Sequence, residues 1–202
     1  VNYESASDIY SIDDVPNQRE INGVWVVNPH GVLSTSQANT IDQKLKSIEA
    51  ETSYEIAVVV LEGINGANAF DFGLDLFNKW GIGKADKNNG LLIMVLSEER
   101  NLTFITGTGT ETVLTDAMTN DIGDDEMKPE FKKGNYSQGI LNGLDVISDV
   151  FNGNEVYSSG SSYSDDYSSG SDNRSFADRN PILVVYLGLV SLLSLVYIIF
   201  LV

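Results

Sequence analysis

The sequence contains no cysteine and only one histidine. The absence of cysteine excludes disulfides, thiol nucleophiles and cysteine-ligated zinc sites. A Ser-His-Asp triad would need His30 as its base, because the chain has no other histidine. His30 lies in a Pro-His-Gly turn, which we interpret as a surface position. The missing cysteine does not identify the compartment, since exported proteins need no disulfides.

Basic residues are also few. The chain has 12 Lys and Arg against 29 Asp and Glu, which gives a net charge of −17 and a pI near 4.1. The basic residues are scattered, and only Lys132 and Lys133 are adjacent. Nucleic acid is therefore excluded as a partner, because phosphate binding depends on clustered Lys and Arg. The excess of carboxylates is typical of a solvated acidic surface, and it is also compatible with cation binding.

One long apolar run is present, at the C-terminal end. Residues 182–202 are 21 residues without a charge, and a helix of this length crosses a hydrocarbon core of roughly 30 Å. We therefore predict one transmembrane helix over 181–202, with the lipid bilayer as its partner. Arg174 and Arg179 precede the run, which by the positive-inside rule weakly favours a cytoplasmic domain.

The rest of the chain divides by composition. Residues 153–180 are dominated by Ser, Gly and Asp without an apolar period, which predicts a flexible linker. Residues 1–19 are polar and predicted to be irregular. The remaining 20–152 are long enough for one folded domain with its own core.

Within this domain the apolar pattern predicts alternating strands and helices. Strands are expected, the last two as a hairpin, at 23–28, 54–62, 90–97 and 102–106. Helices are expected after the first strand, after the second strand, after Gly109 and from Ser137. The order β-α-β-α-β-β-α-α predicts an α/β fold, a three-layer α/β/α sandwich with a mixed, mostly parallel sheet.

Three of the predicted helices carry local signals. Ser34 and Gln37 have the spacing of a capping box at the start of the first helix. The second helix has apolar residues at helical spacing, namely Phe70, Leu74, Phe77 and Trp80. Ser137 is expected to cap the last helix.

Two loops are expected to lie side by side at one edge of the sheet, because they flank the paired strands of the hairpin. Loop 84–89 enters the third strand, and loop 107–111 leaves the fourth. With the turn that follows, they bring together the oxygen donors Asp86, Asn88, Asn89, Glu111 and Asp116. Such donors suit Ca²⁺, or Mg²⁺ as a second choice, and not zinc. Further acidic residues that are candidate ligands are Asp121, Asp124 and Asp125.

The same residues also have structural explanations. The Asn-Asn-Gly run is typical of a turn, and acidic residues such as Glu111 and Asp116 are favourable in the first turn of a helix. The acidic run is compatible with a solvated helix face. The GTGTE segment, 107–111, is neither a GxGxxG nor a Walker motif, and Glu111 would repel an anion. A cation site and ordinary loop structure therefore both stay open from the residues alone.

Several stretches together resemble the TPM-domain family over about residues 20–152. They are GVLSTSQ, YEIAVVVLEG, LFNKWGIGKADKNNGLLIMV, ITGTGTETVLTD and MKPEFKKGNYSQGI. The family pattern carries onto Asn88, Asn89, Gly90, Gly107, Gly109, Glu111, Leu114, Asp116, Pro129, Phe131, Gly134, Tyr136 and Gly139. One departure is the turn 28–30, where members often have an acidic residue and this chain has Asn-Pro-His.

The resemblance implies an α/β/α sandwich that is exported behind a signal peptide and often carries a C-terminal transmembrane segment. It places the domain on the extracytoplasmic side of the cell membrane, against the weak charge signal, and we follow the resemblance. It also implies divalent-cation binding or acid phosphatase activity, both attributed to members, or an accessory role in photosystem repair or receptor modulation.

We therefore expect a membrane-anchored, extracytoplasmic binding or accessory domain that binds a divalent cation, Ca²⁺ before Mg²⁺. A membrane protein is a further candidate partner. The alternative is a metal-dependent acid phosphatase, in which a cation on Asp86, Glu111 and Asp116 would activate water. The third alternative is a purely structural interaction domain without a site.

Overall fold

A computed structural model of the chain describes residues 11–64 and 66–154. Its centre is one sheet of four strands, namely β1 (Val26–Val27), β2 (Glu55–Leu61), β3 (Gly90–Leu96) and β4 (Asn101–Thr106). The strands lie in the order β1-β2-β3-β4. The first three are parallel, and β4 is antiparallel to β3. The predicted mixed, mostly parallel sheet is confirmed, although β1 is shorter than the predicted strand 23–28.

The helices follow the predicted order, with more interruptions after the hairpin. They are α1 (Gln18–Asn22), α2 (Thr35–Thr52), α3 (Ala69–Trp80), α4 (Thr108–Glu111), α5 (Asp116–Ile122), α6 (Lys128–Phe131) and α7 (Tyr136–Phe151). A π-helical turn, Gly123–Met127, joins α5 to α6. The single helix predicted after Gly109 is therefore several short segments.

Helices cover both faces of the sheet. Neighbouring residues of a strand point to opposite faces. Ile105 of β4 lies against Gly73 of α3, where an added Cβ would be 3.2 Å from Ile105 Cγ1. Phe104 lies on the other side against Gly123, where an added Cβ would be 3.5 Å from its ring. The predicted α/β class is thus confirmed, and both central strands are buried along their whole length.

The face that α3 buries differs from the one its apolar spacing suggests. Phe70 and Leu74 are exposed, by 55% and 37%. The buried residues are Phe72, Gly73 and Leu76, while Phe77 and Trp80 of the predicted stripe are partly buried and pack against the core. Two apolar stripes lie side by side on this helix, and the stripe with the glycine faces the sheet because it permits the closest approach.

The predicted helix starts are confirmed in one case and wrong in another. Ser34 and Gln37 form the reciprocal capping box before α2. At α7 the N-cap position is Asn135, and Ser137 is a buried residue of the first turn. Ser137 is therefore a buried residue within the helix and not its N-cap.

No helix within the two described ranges is long and apolar enough to cross a membrane. The predicted transmembrane helix 181–202 and nearly all of the predicted linker 153–180 lie outside these ranges, as do residues 1–10.

Candidate functional site

The two loops predicted to be neighbours are attached to each other by backbone hydrogen bonds. Gly109 N donates to the carbonyl oxygen of Asn88 at 3.0 Å. Gly107 N donates to that of Gly90 at 2.9 Å, and Thr110 Oγ1 donates to the same oxygen at 2.8 Å. The predicted juxtaposition is confirmed. These paired loops, 84–89 and 107–111, lie at the end of the sheet where β3 begins.

Glycine is required at two positions of this contact. A Cβ on Gly107 would lie 2.2 Å from the carbonyl oxygen of Asn88. A Cβ on Gly109 would lie 2.0 Å from that of Lys87. Because the obstacles are backbone atoms, no side-chain rotation relieves them. The glycines of the GTGTE segment are therefore explained by the contact between the loops.

The two predicted asparagines hold the shape of loop 84–89. Asn89 is buried, its Oδ1 accepts from Lys84 N at 2.9 Å, and its Nδ2 donates to the carbonyl oxygen of Ser53 at 2.7 Å. Asn88 has φ +49°, a left-handed conformation that asparagine tolerates better than most residues. Both ends of the Asn89 amide are thus engaged inside the protein.

The three predicted carboxylates are exposed, and Asp116 lines a surface cavity with residues 101–104 of β4. Asp86 lies in the first loop, Glu111 ends α4, and Asp116 begins α5. Glu111 Oε1 accepts from Thr106 Oγ1 at 3.3 Å. Within residues 11–64 and 66–154, no three Asp, Glu or His side chains come together as a ligand group. The side chains in these positions therefore do not fit a preformed metal centre, and cation binding stays a prediction.

The additional acidic candidates lie farther along the chain, in α5 and the π-helical turn. Asp121, Asp124 and Asp125 are all exposed. Asp124 forms an ion pair with Lys128, one turn later. This arrangement matches the solvated helix face that was the second explanation of the run.

The turn after β1 lies at the opposite end of the parallel strands from the paired loops. Asn28 Nδ2 donates to the carbonyl oxygen of Leu33 at 2.7 Å, and its Oδ1 accepts from Leu33 N at 3.0 Å. His30 is half-buried, and its Nδ1 accepts from Glu62 N at 3.3 Å. Asn28 therefore closes the turn, and His30 connects it to the end of β2.

A second candidate site is a cavity of about 450 Å³ beyond the C-terminal end of β3. Arg100, Lys128 and Lys132 line it. Among residues 11–64 and 66–154, no acid lines it, although acids outnumber bases 29 to 12 in the chain. The rings of Phe131 and Tyr136, with centroids 5.2 Å apart, form one wall. We call this feature the basic cavity.

The basic cavity could not be predicted from the sequence, because its cations are not clustered along the chain. Arg100 belongs to the hairpin turn, whereas Lys128 and Lys132 belong to and follow α6. Only the tertiary fold joins the two regions, through a hydrogen bond of 3.3 Å from Tyr136 Oη to the carbonyl oxygen of Ser97. No spacing in the sequence marks this contact.

The comparison with family models gives a match to the TPM domain over residues 26–150. The chain belongs to the TPM-domain family. A similar solved structure is the NMR structure of the N-terminal domain of a P. gingivalis protein, 35% identical with a TM-score of 0.66. The match covers 72% of this chain and 93% of that one.

Two further NMR structures share the fold at lower identity. A protein from the psychrophilic Bizionia argentinensis is 22% identical, with a TM-score of 0.55 and coverage of 61% of this chain and 84% of its own. The N-terminal domain of a Corynebacterium glutamicum protein is 18% identical, with a TM-score of 0.52 and coverage of 75% and 91%. The comparison with curated proteins finds no match.

In this TPM domain, several of the residues that carried the resemblance lie at two places. The glycines of loop 107–111 hold the paired loops together. Phe131, Gly134 and Tyr136 line the basic cavity. Gly139 of α7 lets the Phe131 ring lie against the helix, because a Cβ there would be 2.6 Å from Phe131 Cε1. The family pattern therefore follows the cavity as well as the loops.

Proposed function

We propose that this TPM domain is a binding or accessory module that takes up a divalent cation at the paired loops, Ca²⁺ before Mg²⁺. The observation that supports the proposal is the position of Asp86 and Glu111 on two segments that backbone hydrogen bonds hold together. Both carboxylates are exposed, and carboxylate oxygens are the ligands that hard cations take. The net charge of −17 adds a long-range attraction for cations.

The geometry sets the expected strength of such a site. Since no three ligating side chains converge in the described part of the chain, an ion would have to gather exposed carboxylates and retain several waters. We therefore expect a dissociation constant on the order of 10⁻⁴–10⁻³ M, the range of weak extracellular calcium modules.

Calcium titration of the full chain, followed by amide chemical shifts, tests the site. We expect the resonances of 84–89 and 107–116 to move first. The double variant Asp86→Ala with Glu111→Ala is expected to weaken binding about tenfold, because it removes two charged ligands.

The matched control is Asp71→Ala with Asp75→Ala, which removes the same charge from exposed positions of α3. We expect it to change calcium affinity only slightly. Equal weakening in the two double variants, or shifts centred on the run 121–125, would reject the paired loops as the site.

We also propose that the apolar run 182–202 holds the module at the extracytoplasmic face of the cell membrane. The length of the run and its lack of charge support this placement. A membrane protein in the same bilayer is then within reach as a partner. Membrane fractionation of the full chain against a chain ending at residue 180 tests the anchor, and protease protection tests the side.

The second candidate function is a metal-dependent phosphomonoesterase, because the matched family model carries phosphatase in its name. Hydrolysis of p-nitrophenyl phosphate with and without Ca²⁺ or Mg²⁺ tests it. Turnover that is lost in Glu111→Ala with Asp116→Ala would support hydrolysis at the paired loops. Turnover that survives in that double variant would place any chemistry elsewhere.

A further inference from the structure

We propose that the basic cavity binds a small oxyanion carried on an aromatic group, with an aryl phosphate or an aryl carboxylate as the ligand class. Its volume of about 450 Å³ falls in the range of small-molecule sites. The cavity lies beyond the end of β3, whereas the paired loops lie where β3 begins. The proposal therefore does not depend on cation binding at the loops.

The charge of the cavity is the first argument. Arg100 and Lys132 line it, and within the described ranges neither side chain has a hydrogen-bond or ion-pair partner. Carboxylates are abundant in a chain of net charge −17, so two unneutralised cations in one cavity are not expected by composition. An oxyanion would neutralise both charges. The planar guanidinium of Arg100 can also donate two parallel hydrogen bonds to two oxygens of the same ligand.

The neighbouring basic residues show how the other cations of this region are neutralised. Lys128 pairs with Asp124. Lys133 Nζ donates to Glu130 Oε1 at 2.6 Å. This bond and one from Asn135 lower the pKa of Glu130. The positive charge that remains for a ligand is thus that of Arg100 and Lys132.

The aromatic wall is the second argument. Tyr136 is held by its hydrogen bond to Ser97, and Phe131 is held against Gly139 of α7. Both rings are only partly buried, so they present apolar surface beside the cations. A ring on the ligand can stack or pack edge-to-face against them, while its oxyanion reaches Arg100.

The position in the fold is the third argument. In open α/β sheets, ligands bind beyond the carboxyl ends of the strands. Ser97 directly follows β3, and Arg100 directly precedes β4. The basic cavity therefore occupies the customary ligand-binding end of the sheet, which the paired loops do not.

Isothermal titration calorimetry of the full chain with phenyl phosphate tests the proposal, with benzoate and inorganic phosphate titrated in parallel. We expect phenyl phosphate to bind most tightly, because its dianion meets two cations and its ring meets the aromatic wall. Benzoate carries one charge, and inorganic phosphate has no ring. Amide shifts are expected to centre on Arg100, Leu102 and Gly134.

The variant that removes the charge is Arg100→Gln with Lys132→Gln. Both residues are exposed, so we expect the fold to persist and phenyl phosphate binding to weaken about tenfold or more. The control Lys44→Gln with Lys79→Gln changes the net charge equally at surface ion pairs of α2 and α3, away from the cavity and from the paired loops. Phe131→Leu is expected to reduce the preference for phenyl phosphate over inorganic phosphate, and to leave binding of the inorganic ion in place.

Three outcomes would overturn the proposal. The first is no binding of phenyl phosphate at millimolar concentration. The second is equal weakening by the two double variants, which would show attraction by overall charge alone. The third is a set of amide shifts centred on 84–89, which would place the anion at the paired loops.

Discussion

Replacing Arg19 by methionine is expected to lower the free energy of unfolding by about 3–5 kcal/mol. Arg19 Nη1 donates to Glu55 Oε2 at 2.9 Å, and Nη2 donates to Oε1 at 3.0 Å. The Glu55 side chain is only 5% exposed. Without the guanidinium, the buried Glu55 carboxylate would keep the hydrogen bond from Gly83 N, at 2.9 Å, but would lose the cation that neutralises its charge. Chemical denaturation of the two proteins measures the difference.

The double variant Arg19→Met with Glu55→Gln tests the cause of this loss. A neutral amide can still accept from Gly83 N and needs no cation, so we expect the second change to recover stability. Lys79→Met is the matched control, because Lys79 pairs with Asp13 at the surface, with the two side chains 42% and 92% exposed. That change is expected to cost less than about 1 kcal/mol. If Arg19→Met and Lys79→Met lowered the free energy of unfolding equally, the burial of Glu55 would not explain the loss.

This ion pair connects the stability of the fold to the candidate cation site. Glu55 begins β2, and it accepts a third hydrogen bond from Gly83 N, the residue before loop 84–89. Arg19 also lies over the ring of Trp25, with Cζ 3.9 Å from the centroid. One buried carboxylate therefore connects α1, the sheet and the start of loop 84–89.

The sheet could be predicted from the sequence because its signals are local and redundant. The continuous apolar runs of β2 and β3 are the pattern of strands covered on both faces. The four residues 98–101 between the strands expected at 90–97 and 102–106 predicted the hairpin, and the hairpin alone required loops 84–89 and 107–111 to be neighbours. The strands and the hairpin are marked by runs of neighbouring residues, and the geometry of paired strands then places the two loops together.

The buried face of α3 could not be predicted in the same way. Two apolar stripes satisfy the helical period, and hydrophobicity does not choose between them. The stripe that contains Gly73 packs on the sheet, with Ile105 Cγ1 and Met94 Cε 3.2 and 3.6 Å from the position its Cβ would occupy. The selection is made by a contact with β4, which is distant in sequence.

Of the two candidate sites, the paired loops could be predicted from the sequence and the basic cavity could not. Strand pairing places the backbones of two loops together, but it does not direct side chains. Asn89 therefore turned inward to Ser53, while Asp86 and Glu111 stayed exposed. The basic cavity needs Arg100 beside the residues around α6, and only the packing of the helical segments against β4 provides that contact.

Replacing Gly109 by alanine is expected to lower the free energy of unfolding by about 3 kcal/mol. The new Cβ would lie 2.0 Å from the carbonyl oxygen of Lys87 and 3.1 Å from that of Asn88. Since neither obstacle is a side chain, the loops must separate, and the bond from Gly109 N to Asn88 would be lost. Thermal and chemical denaturation measure the cost.

Gly73→Ala is the control, because its nearest neighbours are side-chain ends at 3.2 Å or more and alanine favours a helix by up to about 1 kcal/mol. We expect its stability to stay within about 1 kcal/mol of the parent. The Gly109 variant also separates backbone pairing from ligand chemistry, since it keeps Asp86 and Glu111. If calcium shifts persist unchanged in that variant, the carboxylates do not need the paired loops, and the cation site must be sought on another surface.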